Sequence, residues 1–453
     1  MKIFRHNIYS TLQPLTSHEK GKWSYWNDCI PYKGAVICFN TLTGATVLLP
    51  KEQVSLLKEQ PTKAPVFFWE TGIIVPEEKI EKKEWFSEYL KGKDDESILD
   101  LTIATSMNCQ FRCVYCFEGE KATKKLSPDA VQRIKDYVSS KAPSLRELRV
   151  VWFGGEPLLG LPQIRDLSAF FIELSHVYGF TYSSDITTNG YALTPFNRSI
   201  LLKECLVKWY YITIDGTADT HNKRRPLASG KGTFDVIWRN TTQLVALGAS
   251  VVVRVTIDKT NIDNIPSLID IIAESELAGK VFLTFVRTMD YSFTPEDARR
   301  VIYTVNEFAK EELRLMKYAH EKGVFSYSMP RPCPMGGCLR KGDVVIGTEG
   351  EVYKCTDTIG ENQWVTGTIG ITPSMSSAEW YKEWLEWTPF SKNNKCRNCK
   401  LLPLCNGGCP HNLLFTEKKH GTDEQCPDWK YNYRERIRLF VEEQIKKRNY
   451  EEV

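Results

Sequence analysis

The chain is predicted to be an α/β protein: a partial (β/α)6 barrel, preceded by a small α+β domain and followed by a cysteine-rich domain. Three observations predict this. Between Leu99 and about residue 325, six short runs rich in β-branched and aromatic residues alternate with amphipathic helical segments. The first 95 residues lack that alternation and carry a hairpin pattern instead. Beyond residue 325 cysteines crowd together. The domains are therefore placed at 1–95, 96–325 and 326–453.

The 453 residues are of ordinary composition, 25% charged and 42% hydrophobic, with a net charge of +3. So small a charge gives no footing for nucleic acid or for an anionic membrane. The opening MKIFRHNIYS has no apolar core of the signal-peptide kind, and no apolar run approaches the roughly 20 residues of a membrane span. A cytoplasmic location is expected, where clustered cysteines in a long chain point to metal rather than disulfides.

In the first domain, AVICFN, the turn TLTG and ATVLL predict a β-hairpin over Gly34–Leu49. Pro50 then suits a helix start, and KEQVSLLKEQ places Val54, Leu56 and Leu57 on one side. After a turn at Thr71-Gly72, EEKIEKKEWFSEYLKG forms a second helix with Ile80, Trp85 and Tyr89 inward, and GKDDES at 92–97 is a linker.

In the second domain the strands are expected at 99–105, 148–153, 181–188, 208–215, 250–257 and 280–287. Ser127 and Pro128 open the first intervening helix as N-cap and N1, with Val131, Ile134, Tyr137 and Val138 inward. A later helix carries Phe234, Ile237, Trp238, Leu244 and Leu247. Parallel strands with right-handed crossovers follow from the alternation, so ligand-binding groups belong at the strands' carboxyl ends. The motifs fall there. Cys109, Cys113 and Cys116 (C-x3-C-x2-C) follow the first strand, Gly154-Gly155-Glu156-Pro157 the second, Thr188-Asn189 the third and Asp215-Gly216-Thr217 the fourth, while Arg254 lies within the fifth.

Three cysteines are one short of a structural zinc site but enough to hold a four-iron, four-sulfur cluster with one iron open. With Tyr115 just before the third cysteine, the stretch SMNCQFRCVYCFE resembles the signature of the radical S-adenosylmethionine (radical SAM) enzymes. The resemblance implies a TIM-like partial barrel in which the open iron chelates SAM, and one electron cleaves SAM to methionine and a hydrogen-abstracting 5′-deoxyadenosyl radical. It further implies that GGEP receives the SAM amino group, with Glu156 offering its carboxylate to the ammonium. Thr188 and Asn189 would contact the ribose and carboxylate. Arg225, with Arg224 adjacent and Arg254 as another candidate, would meet the SAM carboxylate. Asp215 and His221 are read as shaping their turn and helix start.

The tail holds Cys333, Cys338 and Cys355, then Cys396-x2-Cys399-x5-Cys405-x3-Cys409, then Cys426. With Gly350 five positions before Cys355, this resembles the SPASM extension of radical SAM enzymes. The resemblance implies two auxiliary four-iron clusters, one on Cys333, Cys338, Cys355 and Cys409, the other on Cys396, Cys399, Cys405 and Cys426, so that the chain carries three. Two zinc sites are the competing reading of the same thiols. Residues 427–453 are expected to form a charged helix docking through Tyr433, Ile437, Phe440 and Val441. Cys29, Cys38 and Cys205 stand apart and are read as small buried apolar residues.

A hairpin followed by helices before a radical SAM core is similar to the winged-helix-like peptide-recognition domains of enzymes that mature ribosomally made peptides. Such a domain offers a strand edge to an extended leader peptide. The expected partners are thus a leader-bearing precursor peptide and an external one-electron reductant such as flavodoxin or ferredoxin. The reaction expected is an intramolecular crosslink, a thioether above all. The alternatives are a formylglycine-generating anaerobic sulfatase maturase and a non-catalytic iron-sulfur electron-transfer protein. Sulfatase maturases place a catalytic aspartate directly after the G-x4-C cysteine, whereas this chain has Thr356 there and Asp357 next, a shift that in a strand would redirect the side chain.

Overall fold

A computed structural model describes residues 2–5, 20–116, 123–290, 299–326, 329–332, 335, 337–371, 379–391, 394–415 and 426–451; Cys333 lies outside them. The N-terminal strands are β1 (Lys2–Arg5), β2 (Gly21–Trp23), β3 (Asn27–Tyr32), β4 (Ala35–Asn40), β5 (Thr46–Pro50) and β6 (Ile74–Pro76). The hairpin expected from the sequence is β4–β5, closed through Gly44 at φ 75°. It sits inside an antiparallel sheet ordered β1-β5-β4-β3, while β2 and β6 pair separately.

The helix Lys51–Glu59 packs Val54 and Leu57 onto this sheet, and the helix Glu81–Lys93 buries Trp85 and Tyr89. Leu56 and Ile80 instead face outward, 52% and 62% exposed. Leu56 is turned about 100° from Leu57 by the helical period, and Ile80 is the N-cap of its helix rather than part of its inner stripe. Cys29 and Cys38 are not isolated either: they stand directly opposite each other on β3 and β4.

The barrel strands are β7 (Ile98–Ser106), β8 (Glu147–Gly154), β9 (Thr181–Thr188), β10 (Val207–Thr213), β11 (Ser250–Ile257) and β12 (Val281–Arg287), paired in parallel in that order. Ser127 caps the helix Pro128–Lys141 by accepting from the Ala130 N–H at 3.2 Å. Alternate strand residues such as Ile103, Trp152, Ile186, Ile212, Val253 and Leu283 pack under the helices. Leu247, read as inward, follows the last helical turn of Phe234–Ala246 and is 60% exposed.

The sheet does not stop at the barrel. Strand β13 (Val344–Ile346) pairs in parallel with β7, and β14 (Glu351–Tyr353) and β15 (Gly367–Thr368) extend it antiparallel, giving nine strands across the boundary expected at 325. The terminal helix Tyr433–Glu451 carries Ile437 and Val441 into a core shared with Ile30, Ile37 and Phe39 of the N-terminal sheet. Among the described residues, no helix is long and apolar enough to cross a membrane.

Candidate active site

The cysteine loop leaves β7 and is pinned on both flanks by backbone hydrogen bonds. Gly155 N–H donates to the Ser106 carbonyl and Glu156 N–H to that of Asn108, each at 2.9 Å. On the other flank, Arg112 and Val114 N–H groups donate to the carbonyls of Pro226 (2.8 Å) and Arg224 (3.0 Å). The two glycines of GGEP are dictated by this stacking. A Cβ on Gly154, at φ 124°, would stand 2.2 Å from the Ser106 oxygen, and one on Gly155 would stand 2.8 Å from that of Asn108.

Above the loop lies a cavity of about 300 Å³ whose lining includes Cys109, Cys113, Cys116, Tyr115, Gly154, Gly155, Thr188, Asn189, Arg225, Arg254 and Asp357. Motifs from five strand ends thus converge on one space with the three thiols. The Cys109 sulfur accepts from Phe111 N–H at 3.4 Å and from the Asn189 amide at 3.8 Å.

Glu156 and Pro157 are set behind the lining. The Glu156 carboxylate is fully buried and accepts from Leu158 N–H (3.1 Å), the Thr188 hydroxyl (2.7 Å) and Asn189 N–H (2.8 Å). Burial pushes its pKa up and these three donors oppose the shift. Its carboxylate is therefore not the one that meets an ammonium, as the resemblance implied; Glu156 instead ties the end of β8 to the Thr188-Asn189 turn.

The two adjacent arginines divide their roles. Arg224 is buried in a pair with Asp258 at 2.9 Å, donates to Thr260 at 2.7 Å, and lies over the Tyr115 ring at 5.0 Å. Arg225 reaches the cavity and donates to the Tyr115 hydroxyl at 2.8 Å, while its buried Nε has no hydrogen-bond partner among the described residues. Burial disfavours the Arg225 charge, but Cys113, Tyr115 and Asp215 together outweigh it and hold the guanidinium charged. Arg254 projects into the cavity from β11 with no ion pair among the described residues. Three thiols beside an orphaned guanidinium N–H and a second cation form a donor set that fits a cluster-bound amino acid: sulfur for iron, cations for a carboxylate.

Asp215 does more than shape a turn. It accepts from the Tyr115 hydroxyl and, at 2.8 Å, from Thr256 N–H, so it anchors the aromatic residue of the cysteine loop to the barrel. His221 fits its structural reading: fully buried, it accepts from Asp215 N–H at 3.2 Å and meets the Thr233 hydroxyl at 3.1 Å. Burial, with Arg225 and Arg224 nearby, depresses its pKa well below the usual value and keeps it neutral.

Asp357 lines the cavity together with Thr356. A shift of one residue does not remove the carboxylate from the site, because β14 ends at Tyr353 and Thr356–Thr358 is a 3-10 turn, where neighbouring side chains do not alternate across a sheet. The cavity also takes Thr187, Thr213 and Thr256. None was singled out in the sequence, although Thr256 sits two residues from Arg254 on β11, the spacing that puts both on one face of a strand.

In the tail neighbouring cysteines raise one another's pKa. Burial and then the neighbouring thiols of Cys399, Cys396 and Cys426 push Cys405 up to about 12. Burial and then Cys409 push Cys338 up to about 11, and Cys355 is raised by burial, Asp357, Cys409 and Cys338. Among the described residues, no three His, Cys, Asp or Glu side chains converge tightly enough for a single metal ion.

Residues 103–272 match the family model of the radical SAM superfamily. With the three-cysteine loop and its cavity at the strand ends, this gives the chain a radical SAM domain, and the chain resembles the maturases that carry one. It is 22% identical over 384 residues to a cysteine-type anaerobic sulfatase-maturating enzyme of Clostridium novyi, covering 78% of this chain and 97% of that protein. Its fold is similar to anSMEcpe solved with AdoMet and the Cp18Cys peptide (TM-score 0.56, 18% identity, 78% of this chain and 99% of that one). It is similar also to SuiB of Streptococcus suis (TM-score 0.52, 15% identity, 89% and 99%).

Proposed function

We propose that this enzyme is a peptide maturase that abstracts hydrogen from a carbon of a leader-bearing precursor peptide and closes an intramolecular crosslink, a thioether above all. The observation that carries the reading is the N-terminal α+β unit. Only 78% of this chain accounts for 97% of the Clostridium novyi sulfatase maturase, so the chain holds structure that enzyme does not need. The SuiB likeness spans 89% of the chain against 78% for anSMEcpe.

In this reading the N-terminal sheet is a winged-helix-like module to which the leader adds as a strand. The β3 edge is taken: the carbonyls of Asn27 and Pro31 accept from Lys400 (2.9 Å) and Arg438 (3.1 Å). Strand addition therefore belongs on the β1 side.

Cys109, Cys113 and Cys116 would hold the catalytic cluster. When bound, that cluster supplies the electron, drawn from a flavodoxin- or ferredoxin-like reductant, that cleaves SAM. Gly154 and Gly155 receive the SAM amino group through backbone oxygens, Arg225 holds its carboxylate, and Thr188 with Asn189 meets the ribose. Asp357 would take the proton of the peptide thiol as its sulfur bonds to the carbon that has lost its hydrogen, and the one electron left over would pass to an oxidised auxiliary cluster held by the tail cysteines. Cys333, Cys338, Cys355 and Cys409 would form one auxiliary site and Cys396, Cys399, Cys405 and Cys426 the other.

A second reading, formylglycine formation on a sulfatase, is favoured by Asp357 on the cavity wall, where a base for either reaction is needed. Anaerobically reconstituted enzyme, given SAM and a reductant, separates the two when offered a cysteine-bearing precursor peptide and a sulfatase-derived peptide. The proposal expects the precursor to lose two hydrogens and keep its sulfur. Conversion of the sulfatase peptide alone, with loss of its cysteine sulfur, establishes the alternative. Zinc in place of iron in the purified protein overturns both.

A further inference from the structure

The segment carrying Cys396, Cys399 and Cys405 has only two short helical turns of its own, Asn394–Arg397 and Leu402–Cys405. It lies against residues 20–93, which supply much of the apolar surface and several of the polar contacts around it, with Met329, Met335, Ile437 and Val441 completing the packing. Cys396 and Leu402 are buried in a cluster with Trp26, Trp85 and Tyr89, while Leu401 and Leu404, with Cys399 packed beside them, are buried against Ile30, Ile37 and Phe39. Polar contacts lock the loop backbone between these two patches. The Tyr25 hydroxyl donates to the Asn398 carbonyl at 2.8 Å and the Thr41 hydroxyl to that of Lys400, and the Lys400 ammonium returns a bond to the Asn27 carbonyl at 2.9 Å. A ten-residue loop with three ligands has too little core to hold them in place, and ligand sets are fixed by what packs behind them.

We propose that the N-terminal domain is a structural half of the second auxiliary-cluster site, with Tyr25 and Thr41 as positioning residues for the loop of Cys396, Cys399 and Cys405. The module that would receive the peptide and the site that would hold this cluster are then one mechanical unit. Removing the domain exposes the ligand loop rather than detaching an appendage. The inference rests on reading these cysteines as a cluster site, and the test is arranged to separate the two.

Full-length enzyme and the double variant Tyr25→Phe/Thr41→Val are reconstituted anaerobically, and iron transfer to a chelator is followed over time alongside the electron paramagnetic resonance spectrum of the reduced protein. The wild type should carry about twelve irons, four per cluster. In the variant about one third of that iron should leave on the order of tenfold faster, with one auxiliary signal broadened or lost, because two backbone carbonyls lose their donors. The remaining iron should leave at the wild-type rate. Equal release from both proteins, or acceleration spread over all the iron, overturns the inference while the cluster reading stands. A wild type holding only about four irons overturns the cluster reading itself. Should the double variant not fold, Lys400→Met alone, which removes the bond to Asn27, should give a severalfold selective acceleration, and no change in that variant overturns the proposal.

Discussion

The cysteine loop at 109–116 and the one at 396–405 are both short, thiol-bearing and partly buried, yet they are held in opposite ways. The first is fixed by main-chain hydrogen bonds to neighbouring strand ends, as between Gly155 and Ser106 or Arg112 and Pro226, and it opens onto a cavity. The second is fixed by side chains and apolar surface from as far as 373 residues away in sequence, as between Tyr25 and Asn398, and packing buries Cys396 while Cys399 and Cys405 stay half-buried. A site that must admit a ligand is built on rigid strand ends, whereas a site that only retains its contents can be walled by another domain.

Removing the first set of thiols tests this contrast most severely. Replacing Cys109, Cys113 and Cys116 together by alanine should abolish 5′-deoxyadenosine formation and lower bound iron from about twelve to about eight per chain. Iron analysis and chromatography of the SAM products check both numbers. Loss of all the iron would mean that the two regions are not separately held.

Asp357 belongs by sequence to the cysteine-rich tail, as the second region does, but lines the cavity of the first. Asp357→Asn should slow peptide modification by about 10²-fold or more, the usual worth of a positioned base, while peptide-independent SAM cleavage continues. Parallel assays of modified peptide and 5′-deoxyadenosine measure the ratio. Equal loss of both activities would make Asp357 a structural residue.

The barrel was legible because its signals are local: a run such as SVVVRVTI becomes β11 without shift, and Ser127-Pro128 opens its helix where the capping chemistry requires. The cavity motifs were legible because spacing fixes them to strand ends. What the sequence hid depends on tertiary neighbours. Nothing in Glu156 says that Thr188 and Asn189 consume its oxygens, and nothing around Val344 says that it pairs with β7. Arg224 and Arg225 are equivalent on paper, and only Asp258, far along the chain, claims one of them.

That division between arginines gives a smaller, graded effect. Arg225→Met should weaken SAM binding by about 10- to 100-fold, as expected for loss of a charge-assisted bond in a buried site. Arg254→Met should weaken it by less, since Arg254 is only partly buried. Equilibrium binding of SAM to reconstituted protein orders the two. The reverse order would give the SAM carboxylate to Arg254 and leave Arg225 as support for Tyr115.

The smallest effect tests whether cysteine proximity alone marks a metal site in this chain. Cys29 and Cys38 face each other across β3 and β4, outside both regions. The neighbouring Cys38 thiol and, to a smaller extent, Lys58 draw the Cys29 thiol down to about 6, while Cys38, fully buried, is pushed up. A lowered thiol pKa places the thiolate above that pH. Alkylation of Cys29 by iodoacetamide in the iron-loaded enzyme should therefore rise through about pH 6 and level off by neutrality. In Cys38→Ala the neighbouring thiol is gone, and the inflection should move up toward about 8.5, the value of a free thiol. Iron content and SAM cleavage should be unchanged in that variant. Loss of iron with either cysteine would show that this pair, too, holds metal.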